Sequence, residues 1–260
     1  MTMAFPGKPF QPVLIYDKNS ERKENTKDVD LSLELFRNIQ TNYMDMVYKE
    51  ESIYVQTNEP QEVIHLASGI AAFQKRIDMI RSAKDTIDME YFIYKTESDI
   101  ASRYITQELI KKAQEKSLVR PNENIRVRLL VDSSATVLKL KDVYATMLRD
   151  NNIRVRYYNQ TESPITNFMK ANQRNHRKSL VIDGAEAITG GRNIGSEYFD
   201  LSHEYNFLDT DVYIKGSIAK TIKDSFDSYW FSPLSSEPKY LVLRKGNEKE
   251  YKQQTAKALQ

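Results

Sequence analysis

Four of the chain's eight glycines fall within the twelve residues from Gly184 to Gly195, and no other stretch constrains the fold as much. Glycine is costly inside a regular element, so such a cluster marks backbone that must turn tightly or approach another segment closely. The stretch Asn175 to Asn193 (NHRKSLVIDGAEAITGGRN) parses as a hairpin: strand HRKSLVI, an Asp183-Gly184 turn, strand AEAIT and a Gly190-Gly191 bend. Downstream, Asn206 to Ile214 (NFLDTDVYI) reads as a further strand carrying Asp209 and Asp211.

The segments ahead of the hairpin alternate between helix and strand. Ser68 is placed to cap a helix bearing Ile70, Phe73, Ile77 and Ile80 on one face. Thr86 to Tyr94 suits a buried strand, and a helix capped by Ser98 or Asp99 follows, with Ile100, Tyr104, Ile105, Leu109 and Ala113 inward. Strand Ile125 to Asp132, a helix over 136–149 and strand Ile153 to Tyr158 complete the series. This order predicts an α/β fold with a mostly parallel central sheet flanked by helices. The domain is expected over 61–240. Residues 1–60 form an arm whose one helix runs from Asp30 to Lys49, and 241–260 form a charged tail. Arg126, Arg128, Arg154 and Arg156 alternate on two strands and read as a solvated strand edge, and Tyr229, Trp230 and Phe231 as packing at a helix end.

With 40% apolar and 28% charged residues over 260 positions, the composition is that of a globular chain. A net charge of +2 implies no polyanionic partner, so nucleic-acid binding is not expected. The lack of cysteine excludes a disulfide framework, a thiolate nucleophile and a Cys-based metal site, and three histidines leave little for a His-rich one. No cofactor or metal is expected. The first twenty residues lack the apolar core of a secretory signal, and no window offers the roughly 18 apolar residues a membrane span needs. A cytoplasmic location with at most peripheral membrane contact is the expectation.

Along a strand, side chains at i and i+2 share a face, so His176 and Lys178 point the same way with backbones about 7 Å apart. An imidazole beside an ammonium suits a phosphoester, since one attacks phosphorus while the other offsets charge on the non-bridging oxygens. Asn193 adds an amide donor, brought round by the Gly190-Gly191 bend. A carboxylate, with Asp209 the first choice and Asp211 or Glu204 as alternatives, is expected to accept from His176 Nδ1 and orient the ring. Asp183 sits in an Asp-Gly turn, where an aspartate commonly serves the turn itself.

The pattern His176-x-Lys178, Asp183, Gly190-Gly191 with Asn193 two positions on resembles the HKD signature of the phospholipase D superfamily. The flanks GIAAFQKRIDMIRSAKDTIDMEYFIY, IRVRLLVDSS and GGRNIGSEYFD are similar to the amino-terminal half of bacterial cardiolipin synthases. The resemblance implies His176 as nucleophile through a phosphohistidine, Lys178 and Asp183 as catalytic motif members, and Gly191 and Asn193 around the substrate phosphate. It implies phosphatidyl transfer on a glycerophospholipid without a metal. Such proteins carry two motifs; this chain has one, because His65 and His203 lack a lysine two positions on. A homodimer or a separate second half is therefore expected to complete the site. The alternatives are a metal-independent nuclease of the same superfamily and an inactive half-site remnant.

Overall fold

The computed structural model describes residues 52–53, 62–96, 98–133, 142–160, 174–238, 249, 252, 253 and 256. The chain divides into two compact units, Met1–Asn42 and Tyr43–Gln260, and every described residue belongs to the second. The helix expected from Asp30 to Lys49 and nearly all of the charged tail lie outside the described residues.

Strands β1 (Ser52–Ile53) and β2 (Glu62–Leu66) pair antiparallel, so the sheet begins ahead of the boundary at residue 61. Helix α1 (Gly69–Ser82) starts where the Ser68 hydroxyl accepts from Ala71 N–H at 3.4 Å, and buries Phe73, Ile77 and Ile80. Strand β3 (Thr86–Tyr91) is buried at all six positions, Thr86, Asp88 and Glu90 included. Helix α2 (Ile100–Gln114) is capped by Asp99 rather than Ser98, its carboxylate accepting from Ser102 N–H at 2.9 Å. Strand β4 (Arg126–Asp132), helix α3 (Asp142–Asp150) and strand β5 (Ile153–Tyr158) follow.

The hairpin is β6 (Ser179–Ile182) and β7 (Glu186–Gly190), joined through Asp183 at φ 53° and Gly184 at φ 66°. Two consecutive left-handed residues make the turn whose twist matches paired strands. A short 3₁₀ turn (Ser196–Tyr198), strand β8 (Asp211–Lys215), helix α4 (Ser217–Trp230) and strand β9 (Ser235–Ser236) end the domain.

The α/β class holds, and the parallel part of the sheet is smaller than expected. The strand order is β1-β2-β8-β7-β6-β3-β4-β5-β9. Only β3-β4 and β4-β5, linked by crossovers through α2 and α3, are parallel; every other neighbour pair is antiparallel. The sheet is mixed because the hairpin and its return strand enter against β3. That reversal sets the start of β6 beside the end of β3, with Ser179 opposite Glu90. Helix α4 covers one face through two apolar contacts: Ala219 on Val181 and Ala187, and Phe226 with Trp230 on Leu130. Trp230 is buried as expected of a helix end, whereas Phe231 is 68% exposed. On the other face, buried Arg76 of α1 reaches Tyr91 and Asp211.

Candidate active site

His176 and Lys178 lie on the extended lead-in to β6, and regular pairing starts only at Ser179, three residues later than the sequence suggested. The alternation still brings the two side chains together. Lys178 Nζ stands 3.4 Å from His176 Nδ1 and donates to the His176 carbonyl oxygen at 2.7 Å. The imidazole is exposed at the surface and packs on the Phe92 ring with centroids 4.1 Å apart. Lys178 is 6% exposed. Partial burial and the adjacent ammonium hold the His176 imidazole below its usual range, so it is uncharged at neutral pH. Burial also lowers Lys178, against the opposing fields of Asp209 and Asp211. The pair is thus a neutral imidazole open to solvent beside a buried cation.

The segment carrying it is held by residues that the sequence reading did not single out. The Asp132 carboxylate accepts from Asn175 N–H at 2.7 Å, and Glu90 Oε1 accepts from the Asn175 amide at 2.6 Å. The Asn175 side-chain oxygen then accepts from Arg177 N–H at 3.1 Å, so His176 sits inside a clamped loop. Glu90 and Asp132 are buried, and burial pushes both carboxyls upward, opposed by Arg177 with Asn175 and by Asn175 with Arg174 respectively. Glu90 Oε2 and Asp132 Oδ1 have no hydrogen-bond partner, although Arg177 and Arg174 lie 3.3 and 3.5 Å away as ion pairs. An acid at the end of each of two buried strands, Glu90 in TIDMEY and Asp132 in RVRLLVD, is the signal that could have drawn attention to them.

The other expected residues divide. Asn193 is buried, accepts from Ile93 N–H at 2.9 Å and meets the Tyr198 hydroxyl. Ile93 follows Phe92, whose ring covers His176, so Asn193 belongs to the same locality. Gly191 differs from expectation: its N–H donates to Thr210 O at 3.0 Å and is not free for a phosphate. Its place in the motif follows from close approach, since a Cβ there would lie 1.9 Å from Asp209 Oδ1.

Asp209 also needs correction as the orienting carboxylate. It backs the Gly-Gly bend and accepts its own neighbour's Thr210 N–H at 2.8 Å, while His176 Nδ1 faces Lys178 instead. The Asp209 field acts on Lys178, and the charge that acts on the His176 ring is that of Lys178. Asp211 is sealed between Arg76 at 3.0 Å and Arg192 at 3.4 Å, a buried triad that anchors the bend. Glu204 is exposed in the loop before it.

Asp183 lies at the opposite end of β6, seven residues from His176 and so roughly 20 Å along an extended chain. Its carboxylate accepts backbone N–H groups of Lys84, Asp85 and Thr86 at 2.9, 2.8 and 2.7 Å, tying the hairpin turn to the start of β3. That is a turn anchor and not part of the His176 cluster. His65 is hydrogen-bonded to the Thr210 hydroxyl at 2.6 Å and is not brought to His176.

A family model described as "Cardiolipin synthase, PLD-like domain" matches residues 76–230. The chain is 31% identical over 173 residues to cardiolipin synthase C of Escherichia coli (strain K12), an overlap covering 64% of this chain and 34% of that protein. It is 29% identical over 234 residues to a cardiolipin synthase of Clostridium perfringens (strain 13 / Type A), covering 86% and 44%. Both overlaps take in less than half of the relative's length. A crystal structure of phosphatidylserine synthase from Haemophilus influenzae Rd KW20 superposes with a TM-score of 0.54 at 14% identity, covering 86% of this chain and 46% of that one, a likeness of fold. The matched span runs from within α1 to the end of α4 and encloses His176, Lys178 and Asn193, and on that ground the chain belongs to the cardiolipin synthase, PLD-like domain family.

Proposed function

We propose that the chain is one half of a phospholipase D-type phosphatidyltransferase or phosphodiesterase acting on glycerophospholipids, completed by a second copy of itself or by a separate partner half. The observation that carries this reading is the neutral, solvent-facing His176 imidazole beside the buried Lys178 ammonium. An imidazole nitrogen attacks phosphorus and the bond to the leaving alcohol breaks, giving a phosphohistidine. An acceptor hydroxyl then attacks phosphorus and releases the imidazole. Lys178 offsets charge on the non-bridging oxygens, while Asn193, whose side-chain oxygen accepts from Ile93 N–H, supports the Phe92-Ile93 segment against which His176 packs. Leaving-group protonation requires an acid, which the opposing half supplies.

An apolar rim supports a substrate with hydrocarbon tails. Tyr205, Phe207 and Leu208 are 54%, 45% and 103% exposed on the segment leading into Asp209. Phe207 stacks on Tyr198, the partner of Asn193, with centroids 4.9 Å apart. The relatives' names and the overlap with cardiolipin synthases point the same way. Membrane contact is proposed at this rim, on the exposure of Tyr205, Phe207 and Leu208.

The test is incubation with phosphatidylglycerol and, in parallel, plasmid DNA, both in EDTA, followed by lipid mass spectrometry and acid-labile phosphohistidine analysis. Lipid turnover and a covalent adduct, both lost in His176→Ala, are expected, in particles sized as dimers or larger by light scattering. Turnover that survives His176→Ala, or DNA cleavage without lipid turnover, would overturn the reading.

A further inference from the structure

A groove of about 680 Å³ opens on the α4 face of the sheet, where β4 and β5 extend beyond the helix. Its lining includes Arg120, Arg126, Arg128, Arg149, Arg154 and Arg156. Two glutamates, Glu123 and Glu237, are the acidic residues in the lining, and Trp230 and Phe231 form one wall. Parallel pairing explains the convergence: Arg128 stands opposite Arg154 and Leu130 opposite Arg156, while Leu130 packs under α4, so alternate residues of both strands face this side. The strand-edge reading from sequence holds for β5, whose second neighbour β9 pairs only with Tyr157 and Tyr158 and leaves Arg154 exposed, and not for β4, which is paired on both sides.

Four of these arginines are engaged. Arg128 pairs with Asp88 and Asp227, Arg120 with Asp85 and Glu123, and Arg149 with Asp150. Arg156 donates to the Trp230 carbonyl at 2.6 Å, its guanidinium 5.2 Å from the centroid of that residue's ring. Among the described residues Arg126 and Arg154 make no side-chain hydrogen bond or close ion pair; the charge of Arg126 reaches Asp85, but its buried Nε has nothing to accept its proton. A buried guanidinium nitrogen left without an acceptor costs free energy that a bound anion would recover.

We infer that this groove is a binding site for an anion bearing two or more phosphate groups. Guanidinium groups donate bidentately to phosphate oxygens, and two uncommitted ones on adjacent strands, roughly 7 Å apart, match neighbouring phosphates better than a single carboxylate. The volume is that of a small-ligand pocket. The groove lining on β4 ends at Arg128, and Asp132, which holds the His176 segment, lies four residues or about 13 Å further along the strand. It is therefore separate from the His176 site and does not rest on the proposed lipid activity.

The experiment is calorimetric titration of the full chain with inorganic pyrophosphate, in wild type, His176→Ala, Arg154→Gln and Arg126→Gln/Arg154→Gln, with circular dichroism for folding. Equal affinity in wild type and His176→Ala is expected, with weakening of several-fold in Arg154→Gln and at least tenfold in the double variant. Arg154 is exposed, so its single variant keeps the test valid if the double variant folds poorly. Flotation with phosphatidylcholine vesicles, with and without phosphatidic acid, separates the sources of phosphate. Capture by the phosphatidic acid vesicles that the arginine variants lose supports a lipid head group; pyrophosphate binding without capture supports a soluble ligand. Binding unchanged in the arginine variants, binding lost in His176→Ala, or binding of neither probe would overturn the inference. So would an arginine-dependent complex with a twelve-residue oligothymidylate that pyrophosphate fails to compete.

Discussion

Asp183 offers the sharpest test of how the motif is divided between chemistry and architecture. Its carboxylate accepts three backbone N–H groups at 2.7 to 2.9 Å, from residues 97 to 99 positions earlier in the chain. A hydrogen bond to a charged group contributes about 1.5–3 kcal/mol net, less at a partly exposed site, so removing this acceptor in Asp183→Ala should cost about 3 kcal/mol. Alanine also tolerates the φ of 53° poorly, which adds to the loss. For a domain of this size that is a fall in Tm of about 6–12 °C. Asp183→Asn accepts the left-handed backbone and keeps one oxygen for the Asp85 and Thr86 amides, so about half that loss is expected. Differential scanning fluorimetry measures the shift, and phosphohistidine formation at 15 °C, normalised to folded protein, measures chemistry. Turnover within threefold of wild type in folded Asp183→Asn is the expected result. A hundredfold loss of chemistry in a protein that melts normally would refute the anchor and return Asp183 to the reaction.

The Asn175 clamp predicts that Asn175→Ala lowers phosphohistidine formation at least tenfold, because it removes the side-chain bonds to Glu90 and from Arg177 N–H on either side of His176 while the backbone bond to Asp132 still holds the segment's start; unchanged chemistry in folded protein would remove the clamp from the mechanism. Glu90 is raised above its ordinary value, so its contribution to stability is present at acid pH and lost as pH rises through the raised value. Glu90→Gln, which retains an acceptor for Asn175, should therefore gain Tm relative to wild type between pH 4.5 and 7.5, and a difference independent of pH would contradict this. His176 is lowered first by burial and then by Lys178, so its NMR titration should lie below 6.5 and move upward in Lys178→Gln. Because the unfolded imidazole binds its proton more readily, this residue should also cost stability as pH falls below 6.5, a slope that His176→Ala removes.

Much of the site was legible because it is local. Two residues apart on an extended segment, His176 and Lys178 meet whatever the rest of the chain does, and an Asp-Gly pair between apolar strands specifies the turn that follows. The expected N-caps at Ser68 and Asp99 are equally local and hold. Asp209 was expected to meet the ring nitrogen, but alternation says which face a residue takes and not which side chain stands nearest, and Lys178 occupies the place beside Nδ1.

The amino-acid pattern by itself determined the α/β alternation, the hairpin and the pairing of imidazole with ammonium, since each follows from spacing of a few residues. Only the tertiary structure decided that β6 enters antiparallel to β3, that Glu90 and Asp132 grip Asn175, and that Asp183 binds the amides of Lys84, Asp85 and Thr86. These contacts join residues 43 to 99 positions apart. Sheet register selects them, and register is set by the burial of whole strands rather than by any short pattern within one.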